Sequence, residues 1–475
     1  MLNNEFMLSK KEKPFLLINI IFAFFPLSFI FGSAAVNLNI ILFCLFGAYH
    51  LKSKILTIEF DFLMKIIFLF FFIVFFSTSL NFTKTLYLTG YDSNDFERLL
   101  KSIIYFRFFL FLIIVKFTNK YEILSFKYFF ITAGSLVLLF SLDVIFQHFV
   151  GHNIIGIESG IDFRSSGFFG SEHVAGSFIQ RFSFFGIFLI AFILKNKNLY
   201  KFIFMIVAIC VFGCAMLVSG NRMSLILFIL GLLLLVPLNL KINKILLLSF
   251  VGLFFSLKFI INFDDLYKAH INTQYKSFYG NIENTVTMSN SGETITWKLN
   301  NQRAPEDEAL GQQIFFYKIK RQSMYRRLIL TSVDLWSLNK TFGNGIKSFR
   351  VDCHKLASPT VNISEEQYPG VKNRLCSQHP HNYYFEILTD TGAVGLIISL
   401  IIALIFVIFI YKNVKILKNK NIEGLVLLSA VISLFLELFP LRNTGSIFTS
   451  NNASYIILIA SIVICYKKIL KIKTE

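Results

Sequence analysis

Apolar runs of about 17–22 residues recur along this chain, each long enough to cross roughly 30 Å of hydrocarbon as a helix. About twelve can be drawn, over roughly 15–32, 34–50, 62–79, 102–117, 128–148, 174–194, 202–219, 222–238, 245–262, 391–411, 423–440 and 452–466. With 55% hydrophobic residues across 475 positions and a mean hydropathy of +0.64, the apolar excess is too large for a soluble core to hide. The expected fold class is therefore an all-α polytopic membrane protein of about 12 transmembrane helices with one large loop domain. The 59 Phe residues keep company with abundant Ile, Lys and Asn, as an AT-rich coding sequence would give, and no function is attached to Phe itself.

A formal charge of +18 would suit a nucleic-acid partner, but its placement argues otherwise. Most of the lysines flank the apolar runs, where basic residues mark the cytoplasmic side. With a cytoplasmic N-terminus, basic clusters fall on that side after every second run. They are Lys10, Lys11 and Lys13, then Lys52 and Lys54, then Lys116, Lys120 and Lys127, then Lys195, Lys197 and Lys201. Lys241 and Lys244 follow, then Lys412, Lys415, Lys418 and Lys420, and finally Lys467, Lys468, Lys471 and Lys473. The opposite connections carry mixed charge, such as Asp92, Asp95 and Glu97, or Glu158 and Asp162. Both termini are thus expected in the cytoplasm. The first run is long and has no obvious small-residue cleavage site, so it does not read as a removable signal.

On the outer side, 80–101 and 149–173 are short, whereas 263–390 is too long for a connector. The expected organisation is an N-terminal transmembrane region over 1–262 with about nine spans, a loop domain over 263–390, and a C-terminal transmembrane region over 391–475 with about three. Within the loop domain, 284–291 reads as a mobile polar stretch, 315–338 has a helical alternation of aromatics and bases, and Gly343-Asn344-Gly345 reads as a turn behind that helix.

Of the six cysteines, Cys44, Cys210, Cys214 and Cys465 lie within runs and read as small apolar packing residues. Cys353 and Cys376 both fall in the loop domain, on this topology an oxidising compartment. A disulfide between them would close a loop of roughly 23 residues, contribute about 3 kcal/mol, and tether the segment leading to His379. Two unpaired thiols are the plain alternative. A zinc set of Cys353, His354, Cys376 and His379 follows no familiar ligand spacing.

Charged groups inside spans are costly and tend to mark function. Arg181 lies within the sixth run, Arg222 opens the eighth beside the tight turn Ser219-Gly220-Asn221, and Arg107 interrupts the fourth. A guanidinium stays charged and grips phosphate through paired donors, so an arginine at the outer face suits a lipid diphosphate. Each also has a structural reading: its stem reaches up to the headgroups, or it pairs with a carboxylate such as Glu172 or Asp143. At the end of the polar segment stand His379-Pro380-His381-Asn382, continuing through Glu386 and Asp390 to Gly392 and Gly395. A neutral imidazole can accept a proton at ambient pH. The structural reading here is that Asn382 caps a short helix through Leu388, ended by Gly392.

In this order the pieces resemble the O-antigen ligase family, which also takes in related polymerases of bacterial surface polysaccharides. The resemblance covers roughly 160–400. One part is Ser166-Gly167-Phe168-Phe169-Gly170-Ser171-Glu172, followed by Gly176-Ser177 and Arg181; a second is Ser219-Gly220-Asn221-Arg222. The third and most specific runs from Arg326 or Arg327 through Gly343-Asn344-Gly345, Phe349-Arg350, Cys353 and Cys376 to His379-Pro380-His381-Asn382, Gly392 and Gly395. Three positions depart from the family pattern. Asn221 stands where an acidic residue often precedes the arginine, Asp390 where Glu is usual, and Ser171 where Asp is common.

The resemblance implies a metal-independent glycosyltransferase of the bacterial inner membrane that works at the periplasmic face without nucleotide sugar or cofactor. Its donor would be a glycan on undecaprenyl diphosphate. The acceptor would be a sugar hydroxyl of lipid A–core in a ligase, or another lipid-linked glycan in a polymerase, and the His-Pro-His-Asn form leans towards ligase. The resemblance further implies His381, or in second place His379, as general base, with Asn382 orienting the segment. Arg222, Arg350, Arg181 and Arg327 would hold the diphosphate, supported by Glu172, Asp390 and Gly392. A transporter of the lipid-linked glycan is the competing class, against which stand the lack of a visible internal repeat and the large outer segment.

Overall fold

The computed structural model describes residues 13–57, 59–158, 164–237, 243–263, 324–356, 376–413, 417 and 421–466. Much of the expected loop domain, including 284–291 and the start of 315–338, therefore lies outside the described residues. The helices are α1 (Leu16–Ala23), α2 (Phe25–Ile30), α3 (Ser33–Leu51), α4 (Phe62–Thr89), α5 (Ser93–Tyr105), α6 (Arg107–Lys120), α7 (Lys127–Val150) and α8 (Ala175–Ile193). They continue as α9 (Asn198–Val218), α10 (Arg222–Leu234), α11 (Asn243–Phe263), α12 (Met324–Leu338), α13 (Ser348–Leu356), α14 (Tyr383–Lys412), α15 (Ile422–Glu437) and α16 (Ser450–Cys465). Among the described residues there is no strand, and His152 and Glu158 form an isolated antiparallel bridge.

The fold is all-α, and eight helical segments are long and apolar enough to cross a membrane: Lys13–Ile30, Ser33–Ile55, α4, α7, α8, α9, Ile245–Asn262 and α14. Two of the expected runs are organised differently. The run over 15–32 divides at Phe24, and Pro26 opens α2, where a missing backbone N–H costs nothing. The run over 102–117 breaks at Phe106. Before the break, α5 carries Asp95, Glu97, Arg98 and Lys101, so the stretch expected as loop 80–101 is mostly the end of α4 and a polar helix. Of these, Asp95 and Arg98 are buried and pair with each other at 2.8 Å.

Phe proves to be the main filler of the core. The ring of Phe22 lies 5.3 Å from that of Phe43 and 5.5 Å from that of Phe129, and Phe25 lies 5.2 Å from Phe111, in tilted or edge-on contacts that suit the aromatic quadrupole. Among the eight long apolar segments α8 is the most enclosed, burying Phe178, Phe182, Phe184, Phe185 and Phe188 against its neighbours. Arg181 is thereby carried into a crowded apolar setting, where it must find a counter-charge.

The site is positioned by an interruption in α14. Gly392 sits inside this helix at φ 66°, outside helical geometry, and the ladder around it is open. The turn behind α12 closes that opening. Ala393 N–H donates to Lys340 O (2.9 Å) and Val394 N–H to Thr341 O (3.2 Å), while Asn344 N–H donates to Thr389 O (2.9 Å) and Gly345 N–H to Asp390 O (2.9 Å). A Cβ at Gly392 would strike Thr341 backbone atoms, and one at Gly343 would fall 2.6 Å from Asp390 O. Two glycines at positive φ thus allow two backbones to meet where side chains would not fit.

Candidate functional site

Asn382 caps α14. Its Oδ1 accepts from Tyr384 N–H (2.9 Å) and Phe385 N–H (3.3 Å), and its Nδ2 donates to Pro440 O (2.7 Å). The capping reading of Asn382 therefore describes the geometry, and its amide reaches the loop 438–449 as well. Further bonds hold that loop against the histidine segment. Thr444 N–H donates to His381 O (3.0 Å), Ile447 N–H to Glu386 Oε2 (2.7 Å), and the Tyr384 hydroxyl to Leu438 O (2.6 Å). His381 adopts φ 57°, unusual for a residue with a side chain and sustained by this clamp.

The His379 and His381 rings lie 4.3 Å apart. His379 Nε2 is buried and has no hydrogen-bond partner among the described residues. Burial, with the neighbouring His381 in second place, pushes the His379 imidazole down to about 4, although a hydrogen bond to the Thr444 backbone pulls the other way. His381 is lowered for the same leading reason, burial. Both rings are thus held neutral, as proton acceptors must be.

Beside this segment opens a cavity of about 330 Å³, lined by residues that include Glu172, Ser177, Arg181, Arg442, Thr444 and Asn451. Its volume is at the small end of the range for small-molecule sites. Arg181 is held by Glu437 through two bonds, Nε to Oε2 at 3.0 Å and Nη2 to Oε1 at 2.7 Å, and it also donates to Asn452 Oδ1 (2.7 Å). Its guanidinium lies over the Tyr455 ring, 4.5 Å from the centroid. The carboxylates named as possible partners, Glu172 and Asp143, are not the ones that take it: Asp143 accepts from Ile154 N–H, and Glu172 lies exposed at the cavity. Glu437 also pairs with Arg442 Nη1 (2.9 Å), which donates to Gln180 Oε1 (2.7 Å) as well, and it accepts from the Tyr383 hydroxyl (2.8 Å). Two guanidiniums against one carboxylate leave the Arg181–Glu437–Arg442 group with one positive charge, and the exposed Glu172 lines the same cavity.

The remaining arginines are spread out. Arg222 is exposed at the start of α10, with no partner among the described residues. The preceding Asn221 donates to Ser177 Oγ (2.9 Å), and a Cβ on Gly176 would come within 2.7 Å of Asn221 Cβ, so the two glycine-rich motifs pack directly on each other next to the cavity. Arg350, exposed on α13, does not line the cavity. The side chain of Arg327 lies outside the described residues. Arg107 bridges Asn37 Oδ1 (3.3 Å) and Ser450 Oγ (3.0 Å), a link between helices far from the histidines in role.

Asp390 is an anchor for the outer segment. Wholly buried, it accepts from Lys347 N–H (2.6 Å), Ser348 N–H (3.1 Å) and Ser348 Oγ (2.6 Å), and so caps α13. Arg98 of α5 closes the same junction with bonds to Ile346 O (3.0 Å), Asn344 O and Asp95 (2.8 Å). From α13, Cys353 is joined to Cys376, with a Cα separation of 5.7 Å. Joined to each other, the two cysteines offer no thiolate to zinc. The histidine segment is therefore fastened at Cys376 on one side and through Asp390 on the other.

Sequence reasoning missed Arg442, Glu437 and Arg98. Glu437 carried a usable signal, a carboxylate inside the run 423–440. Arg442, just past that run, carried none. Residues 206–400 match the family model described as O-antigen ligase, and no curated protein matches the chain.

Proposed function

We propose, from the match of residues 206–400 to the family model described as O-antigen ligase, that this chain transfers a glycan from undecaprenyl diphosphate to a sugar hydroxyl of lipid A–core. The reaction takes place at the periplasmic face of the bacterial inner membrane, with both termini cytoplasmic. The reading is supported above all by one juxtaposition: a polar cavity walled by Arg181 and Arg442 adjoins a loop that holds two neutral histidines.

In the reaction, the acceptor hydroxyl gives its proton to a histidine as its oxygen attacks the anomeric carbon. The bond from that carbon to the diphosphate oxygen breaks, and undecaprenyl diphosphate leaves with the electron pair. Developing negative charge on the leaving group faces the net positive charge of the Arg181–Glu437–Arg442 group, with Arg222 adjacent across Asn221 and Ser177. His381 is the first candidate for the base, His379 the second. Arg350 and Arg327 are assigned to the diphosphate by resemblance alone.

The test is to incubate purified protein with glycosylated undecaprenyl diphosphate and lipid A–core, without added metal, beside His381→Ala. Glycan on the core that depends on His381 is the expected result. Longer lipid-linked chains without core modification would reassign the protein as a polymerase. No product of either kind would sink the transferase reading in favour of transport.

A further inference from the structure

Two buried polar atoms on residues that line the cavity have no hydrogen-bond partner among the described residues. Thr444, 7% exposed, has a buried Oγ1 and Asn451 a buried Oδ1, neither of them hydrogen-bonded to any described residue. Both residues line the cavity. The neighbouring Asn452 is a useful contrast, because its Oδ1 accepts from Arg181 and its Nδ2 donates to Ser446 O (2.9 Å). Asn452 is spent on structure and Asn451 is not. A buried orphan polar atom is costly and implies a group that will meet it.

The chemistry of that group can be narrowed. An unpartnered amide oxygen needs a donor, and the oxygens of an ionised diphosphate have no proton to give. A sugar hydroxyl both donates and accepts, which also suits the hydroxyl of Thr444. Position agrees: the backbone of Thr444 bonds to His381 O, so this side of the cavity adjoins the base. We infer that Thr444 and Asn451 bind hydroxyl groups of the first sugar on the donor, the ring whose anomeric carbon is attacked, and so select which lipid-linked glycans enter. This rests on the transferase reading and adds a division of labour to it, with arginines for the diphosphate and Thr444 with Asn451 for the sugar.

The decisive experiment compares two ligands on detergent-purified protein by equilibrium binding: glycosylated undecaprenyl diphosphate and undecaprenyl diphosphate without sugar. Thr444→Val and Asn451→Ala should each weaken binding of the glycosylated lipid by about 10-fold, the scale of a lost hydrogen bond in a site built for hydroxyls, and leave the sugarless lipid unchanged. Thr444→Ser, which restores the hydroxyl, should recover the wild-type ratio. Equal weakening of both lipids would mean that these residues hold the diphosphate or the fold, and no weakening of either would mean that they bind nothing. Both outcomes overturn the inference. If wild-type protein binds the glycosylated lipid but transfers nothing, the transferase reading falls while the binding ratio still decides this one.

Discussion

At the scale of single residues, the paired imidazoles and the shared carboxylate make separate demands. An imidazole of the folded protein held at about 4 rather than 6.5 takes up its proton only in acid. If His379 is the base, the acid limb of transfer should therefore lie near 4, well under the ordinary histidine range, in a kcat/KM–pH profile. Stability follows the same sign. Both states are neutral above about 6.5, and below it the unfolded chain binds a proton that folded His379 refuses, so stability is lost as pH falls towards 4. Glu437 sets a different test. Glu437→Gln leaves Arg181 and Arg442 buried together without a counter-ion, and should destabilise by about 3 kcal/mol, seen as a lower midpoint of unfolding in detergent. Arg181 was legible as a charge out of place. Its pairing with Glu437 was not, because nothing local ties positions that stand 256 residues apart.

At the scale of elements, the opening in α14 is the joint on which the outer segment turns. Gly392→Ala adds a Cβ at φ 66° and directs it at Thr341 backbone atoms. The cost should exceed the roughly 1 kcal/mol of a helical glycine exchange and reach about 1–3 kcal/mol of strain or more. Transfer should fall, because the histidine segment leads directly into the helix that holds Gly392; unchanged activity would show that the joint is dispensable. Half of this joint could be read in the sequence. Gly343-Asn344-Gly345 announced a turn through its glycines, and Gly392 announced a stop. What could not be read is that the turn fills the stop, since backbone-to-backbone pairing leaves no side-chain pattern. The Asp390 cap on α13 was hidden for a related reason, for its recipients, Lys347 and Ser348, offer only N–H groups and a hydroxyl.

For the whole molecule, the apolar runs gave the all-α membrane class directly, since span length is fixed by lipid thickness. They were less informative about α5, whose buried Arg98 is satisfied by Asp95 and by the outer segment. Orientation rests on the lysines, and reporter fusions can check it. Alkaline phosphatase joined after Glu172 should be active, and after Lys197 inactive, if the cavity opens to the periplasm; the reverse pattern would invert the molecule. The pairing of Arg181 with Glu437 has one more consequence, in time rather than space. Arg181 leaves the ribosome 256 residues before Glu437, a delay of roughly 13–50 s at ordinary rates of synthesis. Through that interval the arginine has no carboxylate, and α8 must be sheltered by the insertion machinery or lie shallow in the bilayer. The later helices α15 and α16 bring Glu437, Asn452 and Tyr455 together around it, so this wall of the cavity is completed only after they are made.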